Sequence, residues 1–254
     1  MNIYFDFDGT LIDVRDKYYA IYNAFVSTHG GVGLDQQKFW NLKKVKDGDA
    51  DILHLSGLGR LSRQCFRDYI KDQVETIPYL EKDTLFPGVA DLLENLSRDH
   101  SCKIVTARRN NINFQAQVDW LKIRPFVSEL IVADRSDSKS ATMTDKTRAL
   151  RGQVVDNGNL FVGDTEEDIL TGQQMSMTTF AVVSGVRHRQ YLESLKPDHI
   201  LNSVTDLPPL LPVASRGKTR TGREFRLIHL CKNTIIISII EKSFKIYSQI
   251  LVFI

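Results

Sequence analysis

The stretch that most constrains this chain is Ile3-Tyr4-Phe5-Asp6-Phe7-Asp8-Gly9-Thr10-Leu11-Ile12-Asp13, an apolar run that ends in two carboxylates and a glycine. Met1 to Phe5 is short and rich in strand formers, as a buried parallel strand requires, and a core has no use for two acids at its end. Side chains alternate along an extended chain, so Asp6 and Asp8 face one side while Phe7 points back into the protein. Gly9 lets the backbone turn, and Thr10 offers a hydroxyl. Two carboxylates at this spacing suit phosphoryl transfer through a covalent aspartyl phosphate, in which one attacks and the other handles the proton. A bare carboxylate repels a phosphate dianion. The chemistry therefore calls for a hard cation with oxygen ligands, Mg²⁺ by default, and for more acids downstream. A calcium loop beginning at Asp6 fails, because Leu11 falls where that loop needs glycine and Lys17 where it needs glutamate.

At 254 residues the chain is long enough for one large domain or a domain with a substantial insertion. Charge separates the body from the end. Met1 to Pro212 carries 25 Lys and Arg against 29 Asp and Glu, a net of −4, whereas Val213 to Ile254 carries 8 against 2, a net of +6. The body thus offers no basic surface for nucleic acid. Cys65, Cys102 and Cys231 are widely spaced and in no metal-ligand pattern, which suits a reducing compartment, the cytoplasm by default. The first apolar stretch has acids instead of a basic leader, so no export signal is expected.

After Asp13 the pattern becomes helical. Tyr18, Tyr19, Ile21, Tyr22 and Phe25 form an aromatic stripe, expected to make a small core of its own, with one or two rings facing substrate as the sharper reading. Asp35 to Lys46 and Leu61 to Thr76 read as further helices, with no strand pattern before Leu85. Residues 14 to 84 therefore form a helical insertion. Alternation of helix and strand resumes at Phe86-Pro87-Gly88. Val89, Leu92, Leu93 and Leu96 make a helix face, and a strand over Cys102 to Val105 ends at Thr106. A helix over Ile112 to Lys122 and a strand over Leu130 to Ala133 follow, then a helix over Asp145 to Arg151. The strand Leu160 to Val162 runs into Gly163-Asp164-Thr165-Glu166-Glu167-Asp168, where Thr165 can cap the next helix. A strand at Thr179 to Val183, a helix near His188 to Leu195 and a strand at His199 to Leu201 close the unit.

Such alternation implies a parallel sheet with helices on both faces, and ligands then bind beyond the carboxyl ends of the strands. Asp6 with Asp8, Thr106, and Asp164 with Asp168 each fall at such an end, on three separate strands. Their coincidence on one edge is the functional signal.

This constellation resembles the haloacid dehalogenase-like hydrolase superfamily, its phosphoglycolate-phosphatase-like branch in particular, over residues 1 to about 212. The D-x-D-G-T-L run at Asp6 to Leu11 and the G-D-T-x-x-D run at Gly163 to Asp168 carry the resemblance. It implies an α/β fold, a Rossmann-like parallel core from residues 1–13 and 85–212, with an α-helical cap from 14–84. It implies an Mg²⁺-dependent phosphatase for a small phosphorylated metabolite. Asp6 would be the nucleophile and Asp8 the acid and base. Thr106 would bind the phosphoryl oxygens. Asp6, Asp164 and the backbone carbonyl of Asp8 would hold Mg²⁺, with Asp168 supporting the metal or the lysine. Lys146 is the preferred family lysine and Lys139 the alternative. Arg108, Arg109, Arg187 and His188 read as solvated loop charges, with contact to an anionic substrate as the sharper reading.

A phosphomutase of the same fold is the nearest rival, but that branch tends to an aliphatic residue where Thr10 stands. A phospho-accepting receiver module is disfavoured by the cap-sized insertion and by Asp164 downstream. The resemblance stops at Val213, where a basic run from Arg216 to Arg226 leads to apolar clusters at Ile235 to Ile240 and Ile250 to Ile254. Glu241, Lys242 and Lys245 break that run too early for a bilayer span. The segment reads as an appendage that adds nothing to catalysis, in preference to a membrane-surface helix.

Overall fold

The computed structural model describes residues 1–134, 143–153 and 158–211, so Lys139 and the end from Val213 onward lie outside the described residues. In chain order the strands are β1 (Asn2–Phe5), β2 (Ile12–Asp13), β3 (Thr84–Leu85), β4 (Ser101–Thr106), β5 (Glu129–Val132), β6 (Leu160–Gly163), β7 (Thr178–Val182) and β8 (His199–Leu201). Six of them form one parallel sheet in the order β5-β4-β1-β6-β7-β8. From β1 the chain builds outward through β4 and β5 on one side, then crosses to β6, β7 and β8 on the other. β1 therefore sits at the point where the winding reverses, which is where open α/β sheets bind ligands. The register aligns Phe5 with Ile104 of β4 and with Val162 of β6. Asp6, Thr106 and Asp164 consequently leave the sheet along one edge.

The helices are α1 (Arg15–Thr28), α2 (Gln36–Lys43), α3 (Asp49–Leu55), α4 (Arg63–Gln73), α5 (Ile77–Leu80), α6 (Val89–Ser97), α7 (Asn111–Trp120), α8 (Asp145–Leu150), α9 (Glu166–Gln174) and α10 (Arg189–Ser194). Asp35 caps α2 by accepting the Lys38 amide at 2.9 Å, and Ser62 caps α4 by accepting that of Cys65 at 3.1 Å. The first five helices lie between β2 and β3, as the helical periodicity predicts. Two of them, α3 and α5, are too short for that periodicity to find.

The expectation of no strand before Leu85 is corrected in detail. Ile12 pairs with Leu85 and Asp13 with Thr84, antiparallel, so the two crossings into and out of the helical insertion lie side by side. Two-residue strands leave no alternation to read.

The aromatic stripe of α1 also departs from expectation. Tyr22 stacks on Phe39 with ring centroids 4.4 Å apart, and Phe25 lies 4.9 Å from Phe66. These rings are not a separate core. They belong to the same buried cluster as Ile3, Phe5 and Phe7 of the sheet, with Leu11, Ile12 and Val14 also in it. Burial of this continuous apolar surface stabilises the fold and fixes the strand end that carries Asp6 and Asp8.

Candidate active site

Asp6 follows β1 directly, and its amide donates to the Val162 carbonyl at 2.8 Å, so the ladder to β6 continues to the carboxylate itself. Phe7 is fully buried and packs edge-on against Phe114 of α7 at 5.3 Å. That anchor turns Asp6 and Asp8 to the same side, as the alternation predicts. Asp6, Asp8 and Thr106 line a cavity of about 160 Å³ with Lys17, Tyr18, Arg108 and Lys146. Tyr18 is thus the ring of the α1 stripe that faces the site.

Asp6, Asp164 and Asp168 form a buried cluster whose carboxylate oxygens lie within 4.8 Å of one another. Lys146, four per cent exposed near the start of α8, places Nζ 2.5 Å from Asp6 Oδ1 and 2.5 Å from Asp168 Oδ1. Asp168 turns its other oxygen to the Thr165 amide and hydroxyl, at 3.0 and 2.6 Å, and so closes the start of α9 while holding the lysine. Asp164 Oδ2 accepts the Val186 amide at 2.6 Å, and Oδ1 accepts the Thr10 hydroxyl at 3.3 Å. The backbone closes tightly on Asp164. A Cβ on Gly9, at φ +81°, would lie 2.4 Å from its Oδ2, and one on Gly185 would lie 2.0 Å from the same atom.

Burial, and then the charge of Asp168, push Asp164 up to about 7. Burial and Asp168 likewise raise Asp6 well above the ordinary carboxylate range, against the pull of Lys146. Burial opposes the charge on Lys146, yet Asp168 and Asp6 more than offset it and keep the ammonium protonated. Fully ionised, the three carboxylates would exceed the one ammonium by two negative charges in a desolvated place, which is why Asp6 and Asp164 hold their protons so tightly without a further cation. The donor set is all oxygen and the charge is matched by a divalent ion, so the residues fit Mg²⁺.

Asp8 has different surroundings. Arg108 donates through Nε to Asp8 Oδ2 and through Nη2 to Oδ1, both at 2.7 Å, and Lys17 Nζ lies 3.0 Å from Oδ1. Burial raises the pKa of Asp8, but these two cations outweigh it and hold the group well below the usual range. The expectation of a solvated Arg108 is therefore corrected: it is five per cent exposed and forms a fork on Asp8, with its guanidinium 5.0 Å from the Phe7 ring centre. Arg109 is exposed and its amide donates to Glu75. Arg187 pairs with Glu166 at 2.8 Å, and His188 is exposed beside the Asn41 carbonyl.

Around Asp8, the buried polar residues Lys17, Asp83 and Gln117 were given no role from the sequence. Lys17 was legible in part, because it stands one helical turn before Ile21 and two before Phe25, on the apolar face of α1. Gln117 likewise interrupts the Phe114, Val118 and Leu121 face of α7. Asp83 gives no sequence signal.

A family model for haloacid dehalogenase-like hydrolases matches residues 3–182. The chain belongs to that family, and it is a hydrolase. The phosphoglycolate phosphatase of Synechococcus elongatus is 28% identical over 211 residues, covering 81% of this chain and 94% of that protein. Pyrophosphatase PpaX of Oceanobacillus iheyensis is 30% identical over 213 residues, with coverage of 81% and 94%. Among solved structures, the haloacid dehalogenase-like family protein SP0104 from Streptococcus pneumoniae superposes with a TM-score of 0.61 at 22% identity, over 82% of this chain and 97% of that one, and so shares its fold. No helix among the described residues is long and apolar enough to cross a membrane.

Proposed function

We propose that the chain is an Mg²⁺-dependent phosphatase that hydrolyses a small phosphate monoester through a phosphoryl group carried on Asp6. The observation that carries this reading is the buried Asp6–Lys146–Asp168 ion pair with Asp164 beside it and Asp8 two residues on, at the edge of one cavity. Asp6 attacks phosphorus as its carboxylate, the bond to the leaving oxygen breaks, and Asp8, which Arg108 and Lys17 leave ionised, relays to that oxygen the proton carried in by the phosphate monoanion. Asp8 then takes a proton from the water that hydrolyses the phosphoaspartate. Lys146 offsets the negative charge that gathers on Asp6 and the phosphoryl oxygens, and the Thr106 hydroxyl donates to those oxygens. Asp6, Asp164 and the Asp8 backbone carbonyl would hold Mg²⁺, which supplies charge neutralisation and orientation of the phosphate. Residues 14–84 act as a helical cap over the core formed by 1–13 and 85–212, excluding water and selecting the substrate. The cavity of about 160 Å³ supports a small substrate.

The names of the two relatives bring 2-phosphoglycolate and pyrophosphate into the panel beside sugar, nucleotide and short-acid phosphates. Phosphate release is measured over that panel with and without Mg²⁺. The reading expects Mg²⁺-dependent release from at least one small phosphate, and no release from any of them with Mg²⁺ present would overturn it.

A further inference from the structure

Behind Asp8 the structure builds a closed ring of five polar side chains. Arg108 grips Asp8 through two 2.7 Å bonds, and its Nη1 donates to Gln117 Oε1 at 2.5 Å. Gln117 Nε2 donates to Asp83 Oδ2 at 2.9 Å and to the Leu80 carbonyl at 3.1 Å. Asp83 Oδ2 also accepts Lys17 Nζ at 2.7 Å, and the same Nζ returns to Asp8 Oδ1 at 3.0 Å. Lys17, Asp83, Arg108 and Gln117 are all at least 95% buried. Besides Asp8 itself, after β1, the ring draws on four places in the chain: the first turn of α1, the residue before β3, the loop after β4, and α7.

Two features separate this ring from ordinary core packing. Asp83 Oδ1 is buried and accepts no hydrogen bond among the described residues, so the carboxylate acts through its other oxygen, on Lys17 and Gln117 and, at 3.7 Å, on Arg108 Nη2. An unsatisfied buried oxygen weakens a fold. Moreover, neither Asp83 nor Gln117 lines the cavity, whereas the three residues they join, Lys17, Arg108 and Asp8, all do.

We infer that Asp83 and Gln117 are positioning residues that act on Asp8 through Lys17 and Arg108. An Arg side chain is long, and its planar fork fixes a carboxylate only if the fork itself is fixed. Gln117 holds the far nitrogen of that fork. Asp83 holds Lys17 and orients the Gln117 amide. The two together set the plane of the Asp8 carboxylate relative to the cavity, and a misplacement of about 1 Å in such a group costs roughly 10²-fold in rate. This inference rests on the proposed role of Asp8 in proton transfer.

The test is the leaving-group dependence of kcat in Asp83→Asn and Gln117→Leu, with Asp8→Asn and the double variant Asp8→Asn/Asp83→Asn alongside. Alkyl and aryl phosphates are compared, because an aryl leaving group needs little protonation. Each single variant should lower kcat for the alkyl ester about tenfold or more, leave KM within about twofold, and affect the aryl ester much less. Asp83→Asn should cost little further in the Asp8→Asn background, since the group being positioned is already disabled. Folding is checked by Tm, and Gln117→Leu, neutral and similar in bulk, carries the test if Asp83→Asn does not fold. Equal losses for both esters in the positioning variants, with Asp8→Asn still selective for the alkyl ester, would overturn this inference alone. Equal losses in Asp8→Asn as well would overturn the role of Asp8 on which it rests.

Discussion

At the residue scale, two carboxylates two positions apart meet opposite electrostatic surroundings. Asp6 shares a dry cluster with Asp164, Asp168 and one lysine, while Asp8 faces two cations. Burial and its acidic neighbours thus favour the proton on Asp6, while Arg108 and Lys17 favour the ionised form of Asp8, so the proposed nucleophile needs a further cation beside it and the proposed acid needs a proton brought by the substrate. Asp6→Asn should abolish turnover while leaving the fold intact, since the amide keeps the shape but cannot attack phosphorus. Circular dichroism and phosphate release check this, and near wild-type release would remove Asp6 from the mechanism. Asp8→Asn should lose about 10²- to 10⁴-fold for substrates with poor leaving groups. A cysteine supplies an independent check of burial. Burial pushes the Cys102 thiol up to about 11, whereas Cys65 is exposed. An alkylating reagent followed by peptide mapping should therefore label Cys65 in the folded protein and reach Cys102 only after denaturation.

At the element scale, strand ends and tight turns bring the acids together. The pattern of apolar runs ending in acids or threonine was enough to put Asp6, Thr106 and Asp164 on one sheet edge, because a parallel sheet has only one such edge. What could not be read was lateral contact between elements far apart in the chain. Arg108 looks like a loop charge until α7 and β1 are placed around it, and Asp83 has no periodic pattern at all. Gly185 makes a similar point. Nothing local marks it, yet a side chain there would collide with Asp164 Oδ2 at 2.0 Å. Gly185→Ala should shift Asp164 and raise the Mg²⁺ concentration needed for half-maximal activity, measured by titrating Mg²⁺ into the assay. An unchanged Mg²⁺ requirement would mean that Asp164 is not a ligand. In the helical insertion, Phe25→Ala should cost about 3–5 kcal/mol, because the ring is fully buried between Phe66 and Tyr69. Denaturant unfolding measures that loss.

At the scale of the whole molecule, the acid cluster links stability to pH and metal. Asp164 titrates near 7 in the folded chain and near 3.8 when exposed. Its folded value is raised, so the stability it contributes is fully present below about pH 4 and is lost as pH rises through about 7. Mg²⁺ held by Asp164, as proposed, would compete with that proton. The rise in Tm on adding Mg²⁺ should therefore be larger at about pH 8 than at about pH 5.5, and a rise independent of pH would contradict a metal held by these carboxylates. The helical insertion and the parallel core were legible in outline from periodicity and alternation, whereas the union of their apolar residues in one buried cluster was not. The end of the chain follows a different composition. A chain ended at Pro212 should keep its specific activity and scatter less light, since isoleucine-rich clusters with few charges promote association. An inactive short form would assign the end to the core.

The central claim is that phosphate passes through Asp6, and capture of the phosphorylated protein tests it most directly. On the proposed mechanism, Asp8→Asn should slow the attack of water on the phosphoaspartate more than its formation from an aryl phosphate, which needs little proton assistance. The variant is mixed with aryl phosphate and Mg²⁺, quenched in acid, digested, and its peptides are weighed. The account predicts one added phosphoryl group on the peptide carrying Asp6, and none when Asp6→Asn is combined with Asp8→Asn. A phosphoryl group on a different residue, or undiminished labelling of the double variant, would contradict it.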